Sequence, residues 1–290
     1  MNAETAELIP ESLSELWDFS DQSTSGKRFV QFRERAINDG LIELAALAET
    51  QLARSLGLDR KFDAGFAILD EVDQRYPDQS GELAVRVQLE RGRLLNSSGK
   101  QVLSIPLFTG AWEESLRAGL DALAVDAAHM LGIVLDGEVC MEWNEKALKI
   151  AMTSSHPAAQ KWKGSLLNNM GWAYHSTGNY TRAMELFEQA LEFRIIQGAS
   201  SQIRIARWSI GRCFRSMGQL DVAISVQRSL EMDPDADGYV FEELGECLQA
   251  QGNVQEAKPY FAKAYSMLSQ DAWFVANETE RLDRLKVLGQ

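Results

Sequence analysis

The chain is poor in the residues on which most enzymes and many secreted proteins depend. Of its 290 residues, three are cysteine, three histidine and six proline. Cys140, Cys213 and Cys247 lie far apart with no Cys-x-x-Cys pair. That argues against a disulfide framework and favours buried reduced thiols, which behave as small hydrophobes. No apolar run approaches the roughly 20 residues that span a bilayer. The opening, MNAETAELIPESLSELWDF, has acids where a signal peptide has basic residues and an apolar stretch. The cytoplasm is therefore the expected location. Positive charge is also scarce: 29 Lys and Arg stand against 42 Asp and Glu, a net charge of -13. That disfavours nucleic acid or an anionic membrane as partner, local basic patches aside. GxSxG, GxxxxGK[ST], HExxH and Gly-rich dinucleotide signatures are all missing. The chain reads as a non-enzyme with no cofactor and no metal.

What the chain does have is a ruler. From Gly171 it reads Gly171, Tyr174, Gly178, Ala183, Phe187, Ala190. From Gly245 it reads Gly245, Leu248, Gly252, Ala257, Phe261, Ala264, and from Gly92 it reads Gly92, Leu95, Gly99, Ser104, Phe108, Ala111. The steps are 3, 4, 5, 4 and 3 residues each time. One helix-turn-helix unit has been copied. The first glycine lets the two helices approach, the large residues fill the remaining space, and Gly178, Gly99, Gly218 and Gly252 suit left-handed caps.

The run Leu167-x2-Met170-Gly171-x2-Tyr174 followed by Ala183-x3-Phe187 resembles the tetratricopeptide repeat, from about residue 46 to about 269. The resemblance implies an all-α fold: a right-handed superhelix (α-solenoid) of about six helical hairpins with N- and C-terminal capping helices, roughly 14 helices in all. First-helix landmarks at Ala53, Gly92, Gly132, Gly171, Gly211 and Gly245 are separated by 39, 40, 39, 40 and 34 residues. The usual unit has 34. Units near 40 also occur in HEAT and armadillo arrays, which the Gly-x6-Gly-x4-Ala core argues against. The unit at 132 departs from the pattern, with Val139 and Asn144 where glycine and alanine are expected, and the unit at 211 has Gln227 in place of the large apolar residue. Pro106 and Pro259 imply helices that start late or kink. Residues 1–22 are expected to be a mobile N-terminal segment and 23–290 one solenoid domain, closed by a polar capping helix at about 275–288 with Asn277 as N-cap. Trp17 and Phe19 either fold back on the first helices or form a docking motif.

Carried over residue by residue, the resemblance puts the first helix of each unit on a concave groove. The groove candidates for partner binding are His129, Asn168, Asn169, Trp172, His175, Trp208, Arg212 and Arg215. Asn168-Asn169-Met170-Gly171 is similar to the Asn-Asn pair of peptide-binding arrays such as kinesin light chains, where an asparagine amide bonds an extended peptide backbone. Here the pair occurs once; the alternative is an ordinary polar helix face. Arg204, Arg207, Arg212 and Arg215, with Arg194 upstream, form a basic cluster suited to a carboxylate or phosphate, or else to ion pairs with Glu188, Glu192, Glu242 and Glu246. Ile205 and Ser209 stand where a chaperone-binding carboxylate clamp needs basic residues, which excludes that clamp. His129 and His175 read as polar groove residues rather than a shared ligand site. Tryptophan at Trp172 and Trp208 fits an interaction hot spot.

The expected function is a non-catalytic scaffold or adaptor that holds an extended segment of another protein or peptide, an acidic one included, with no nucleic acid and no membrane as partner. The alternative is a regulatory sensor that binds a signalling peptide or small ligand and acts in trans. Partner identity and oligomeric state are not encoded in any of these motifs.

Overall fold

The computed structural model describes residues 10–18 and 21–290. Part of the expected mobile segment, residues 1–9, 19 and 20, lies outside the described residues, and Phe19 with it. Among the described residues the chain forms sixteen α-helices, a short 3-10 helix at Pro10–Leu16, and no strand. The fold is an α-solenoid of helical hairpins. It divides into two compact units, residues 1–162 and 163–290.

The first unit begins with α1 (Gln22–Asn38), which is capped by Asp21 accepting from the Thr24 backbone N–H at 2.9 Å. Its Phe29, Phe32 and Ala36, at helical spacing, face the core. Trp17 settles on this helix. Its ring centroid is 4.9 Å from that of Phe29, and its indole donates to Gln51 Oε1 at 3.2 Å. Three hairpins follow: α2 (Ile42–Leu58) with α3 (Phe62–Arg75), α4 (Gly81–Ser97) with α5 (Gln101–Ala118), and α6 (Asp121–Val134) with α7 (Gly137–Thr153). A one-turn helix, α8 (Pro157–Gln160), ends the unit.

The second unit holds α9 (Lys163–Ser176) with α10 (Tyr180–Gln197), α11 (Ser200–Ser216) with α12 (Leu220–Glu231), and α13 (Gly238–Ala250) with α14 (Val254–Leu268). It closes with α15 (Ala272–Asn277) and α16 (Thr279–Leu288). Six hairpins with α1 and α16 make the expected fourteen helices; α8 and α15 are short additions in connecting segments. The cap of α16 is Glu278, not Asn277, whose side chain instead donates to the Trp273 carbonyl at 2.8 Å. Nor is α16 wholly polar: Leu285 is fully buried in the terminal core with Phe241, Phe261 and Phe274.

The glycine ruler is a packing device. At Gly92, Gly171 and Gly245 an added Cβ would stand 2.5–2.7 Å from the ring of Phe108, Phe187 or Phe261. Each ring therefore lies in the hollow that the missing side chain leaves. In α6–α7 the hollow at Gly132 is filled by Asn144, twelve residues on rather than sixteen. The reason is that the first helix ends sooner after its landmark glycine: at Val134, two residues past Gly132, against Ser97 and Ser176, five past Gly92 and Gly171. The chain turns at Leu135–Asp136, so the second helix begins about one turn early and Asn144 arrives where a phenylalanine sits elsewhere. Asn144 is buried and donates to the Cys140 carbonyl at 2.9 Å. Pro106 and Pro259 lie inside α5 and α14, which begin at Gln101 and Val254; neither helix starts late.

Candidate functional site

In the second unit, α9, α11 and α13 are the first helices of successive hairpins, and their side chains form an aromatic ladder. Trp172 rests on Phe187 at 5.0 Å between ring centroids, so the phenylalanine in the Gly171 hollow also seats the tryptophan. From Trp172 the ladder runs to Trp208 at 5.8 Å, then to Tyr239 at 6.3 Å and Phe274 at 5.8 Å. His175 joins the other end, 5.0 Å from Trp172 and 5.1 Å from Tyr180. Edge and tilted contacts of this kind are favoured by the ring quadrupole. The Trp208 indole donates to the Tyr239 carbonyl at 3.1 Å. The half-buried Trp172 indole has no hydrogen-bond partner among the described residues.

Beside the ladder runs an ionic network. Arg215 grips Glu243 with both arms of its fork, at 2.5 and 3.0 Å, and Arg212 Nε lies 3.5 Å from the same carboxylate. Glu246 links Arg215 at 3.9 Å to Arg284. Arg281 makes a bidentate pair with Glu242, 2.7 Å in each arm, and lies over the rings of Tyr239 and Phe274. Glu243 is almost fully buried. Burial raises its carboxyl above the usual range, although Arg215 and Arg212 pull the other way. Burial, then Glu243, pushes the neighbouring Cys247 thiol up to about 12, and burial also raises Cys213 and Cys140. These are protonated, weakly nucleophilic thiols.

The expected site residues of this unit thus come together in part. Trp172, His175, Trp208, Arg212 and Arg215 form one continuous surface. His175 Nε2 is 2.9 Å from Ser216 Oγ, which also takes an N–H from Arg212 at 2.6 Å. Burial, with Arg212 and Arg215 close by, holds the imidazole below its ordinary range, so it is neutral at pH 7. Asn168 and Asn169 point to a cleft bounded by α9, α10 and α11. Asn168 accepts from the Ser209 hydroxyl at 3.3 Å, whereas Asn169 makes no side-chain hydrogen bond among the described residues. The charge of Arg212 and Arg215 is already met from within the unit, and the partners are Glu243 and Glu246. Glu242 serves Arg281 instead, and no ion pair of this cluster reaches Glu188 or Glu192 among the described residues.

His129 belongs to the first unit. Its ring is tilted against that of Trp162 at 5.2 Å, and its Nδ1 is buried with no partner among the described residues. It neighbours a buried ion cluster in which Arg93 bonds Glu90 and Asp126, each at 2.5 Å. Burial opposes the Arg93 charge, but Asp126 and Glu90 more than restore it. Burial lowers His129 below the ordinary imidazole range. Among the described residues no cluster of three or more His, Cys, Asp or Glu side chains could hold a metal, and no helix is long and apolar enough to cross a membrane.

Sequence reasoning missed Phe274 and Arg281 as parts of the ladder. The six-residue helix α15 carries no repeat signal, and Arg281 falls in a stretch that reads only as a polar cap.

Two tetratricopeptide-repeat family models match the chain, over residues 164–196 and 240–267. No curated protein matches it. Several solved structures share the fold. The apo form of RapI aligns with a TM-score of 0.70 at 15% identity, covering 92% of this chain and 78% of that one. NprR, solved in complex with its cognate peptide NprX, aligns with a TM-score of 0.59 at 16% identity, covering 96% and 80%. A signal-transduction ATPase with a tetratricopeptide-repeat sensor, from Pyrococcus horikoshii, aligns at 0.66 and 12% identity, covering 96% of this chain and 46% of that one.

Proposed function

We propose, from the premise that this chain is a tetratricopeptide-repeat protein, that it is a non-catalytic scaffold or adaptor holding an extended segment of another protein. The observation that carries this reading is the pairing of Asn169 and Trp172 on one helix. Among the described residues, one is an amide with no side-chain hydrogen bond; the other is a half-buried indole with no acceptor for its N–H, in ring contact with Phe187. An extended peptide needs backbone partners for its own N–H and C=O groups, and an amide supplies both kinds. Pre-seated aromatics contribute contact area at low entropic cost. Trp208, His175 and Asn168 extend the same surface. Arg212 and Arg215 act by shaping it, since their charge is already paired; His129 would be a separate contact on the first unit. The fold likeness to NprR, a protein held with a peptide, supports the reading at the level of fold. The location expected for such an adaptor is the cytoplasm, and residues 23–290 are taken to act as one solenoid domain.

The test is a photo-reactive residue placed at Ile205, exposed on the wall of the same cleft, with Glu188 on α10 as control. Crosslinking of one protein from 205 and not from 188 is expected. Crosslinking from 188 alone overturns the site. For the single-domain reading, one calorimetric transition of the whole chain is expected, and two separated transitions overturn it.

A second reading, a sensor acting in trans, draws on the fold likeness to the sensor-bearing ATPase. It predicts a ligand-induced change in small-angle scattering; an unchanged profile across a panel of peptides and metabolites counts against it.

A further inference from the structure

In the second unit Arg182, Arg204, Arg212, Arg215, Arg228, Arg281 and Arg284 have carboxylate partners. Arg207 and Arg194 have none among the described residues, and of the two Arg207 is exposed to solvent whereas Arg194 is not. Arg194 is half-buried in the last turn of α10 and, among the described residues, bonds neutral acceptors: Gln197 Oε1 at 3.0 Å and Ser165 Oγ at 2.8 Å. Its position is built. The guanidinium lies across α9 at Gly164, where a Cβ would collide with it. Of the five N–H donors of a guanidinium, two are used here. Arg194 lines a cleft of about 170 Å³ together with Ser165, Asn168, Asn169 and Gln202, with no acidic side chain in its wall. That volume is several times the roughly 30 Å³ share of one water.

A partly desolvated cation with neutral partners is less favourable than a paired one, and a bound anion would relieve it. Burial indeed pushes the Arg194 pKa down, with no opposing cause. Asn168 Oδ1 is engaged by Ser209, which leaves the amide NH2 as a donor; Asn169 and Gln202 add amides with no internal bond among the described residues. One guanidinium with neutral amides balances one negative charge. A phosphate group, carrying about -1.5 to -2 near pH 7, would exceed it.

We propose that this cleft between α9, α10 and α11 is a carboxylate-binding site, with Arg194 as the charged anchor and the amides of Asn168, Asn169 and Gln202 as neutral donors. The source of the carboxylate rests on the proposed function: a chain terminus or acidic side chain of the bound segment. The carboxylate chemistry itself does not depend on that reading.

The experiment is an NMR titration of the whole chain at constant ionic strength, following the Arg194 Nε–H and the Gly164 and Ser165 amides. The probes are N-acetylglycine, N-acetylglycinamide, sodium acetate and inorganic phosphate. Saturable shifts with N-acetylglycine and acetate are expected, and none with the neutral amide. Arg194→Gln should weaken binding by about tenfold or more, the scale of losing a charged hydrogen-bond partner. Arg194→Lys, which keeps the charge without the fork, should fall between. Unmoved Gly171 and Gly245 amides check that each variant is folded. Equal response to the neutral amide, a response to phosphate alone, or undiminished binding in folded Arg194→Gln overturns the proposal. If acetate binds as tightly as N-acetylglycine and no protein crosslinks from position 205, the cleft serves a small organic acid. The carboxylate site then survives and the adaptor reading does not.

Discussion

Two adjacent hairpins use one device with opposite chemistry. In α9–α10 the hollow at Gly171 takes the ring of Phe187; in α11–α12 the hollow at Gly211 takes the amide of Gln227. Both fillers are fully buried. The phenylalanine has no polar atom to satisfy, and its far face supports Trp172. The glutamine donates to the Trp208 carbonyl at 3.3 Å, but its Oε1 has no partner among the described residues. A spacing rule therefore fixes where a filler must be, and not what it is made of. The hydrophobic version stabilises through burial and contact. The amide version sacrifices some stability and ties the filler to the backbone of the helix that carries Trp208.

The sharpest way to break this comparison is Phe187→Ala. It should cost about 3–5 kcal/mol in urea unfolding, by lost transfer energy and the cavity left behind. It should also shift Trp172 emission, because that indole loses its seat. A cost below about 1 kcal/mol would mean that the Gly171 hollow collapses freely.

Arg215→Ala tests the second hairpin at its ionic edge. Glu243 would be left buried with Arg212 as its remaining cation, at a cost of about 3 kcal/mol near neutral pH. The pH dependence gives the sign. A carboxyl whose folded pKa is raised binds more protons folded than unfolded, so stability falls as pH rises from the unfolded value through the folded one. Glu243 is already raised by burial in the native chain. Removing Arg215 raises it further, so the variant should recover toward wild type as pH is lowered toward the unfolded carboxylate value. A penalty that stays constant from pH 5 to pH 8 (roughly one to four units above the ordinary Glu pKa) would sink the account.

Glycine substitution sharpens the comparison. Gly171→Ala presses a methyl into a rigid ring and should cost about 1–3 kcal/mol. Gly211→Ala meets the end of a flexible amide and gains helix propensity, so it should stay within about 1 kcal/mol of wild type. Equal losses would show that Gln227 is held as firmly as Phe187. The smallest effect is expected from Gln227→Met, which keeps volume and removes the unpaired oxygen. A stability change of no more than about 1 kcal/mol, with a gain favoured, is read by calorimetry.

The hairpins were legible because the glycine and its filler are separated by a fixed number of residues, and a local helical turn carries that spacing faithfully. The same logic failed at α6–α7. The landmark Gly132 is in place, but the chain turns about one helical turn sooner after it, and only the position of that turn reveals that Asn144 is the filler. Trp172 and Trp208 could be placed on first helices from spacing alone. Their contact with each other, and its extension through Tyr239 to Phe274, could not, because α15 lies outside the repeat. The basic cluster was visible as composition, and its neutralisation was not. Which glutamate meets which arginine depends on how α11, α13 and α16 are rotated against one another.

The sequence by itself determined the all-helical class, the hairpin unit, and the glycine positions where helices touch, since these follow from short-range periodicity. Tertiary structure decided which charges are spent and which remain. Arg215 is consumed by Glu243, while Arg194, a residue of the same type in the same unit, faces a cleft with no acid in its wall. The physical reason is range. Periodicity is set within a few turns of chain, whereas an ion pair needs two side chains within about 4 Å, and that distance is fixed only when helices far apart in sequence have packed.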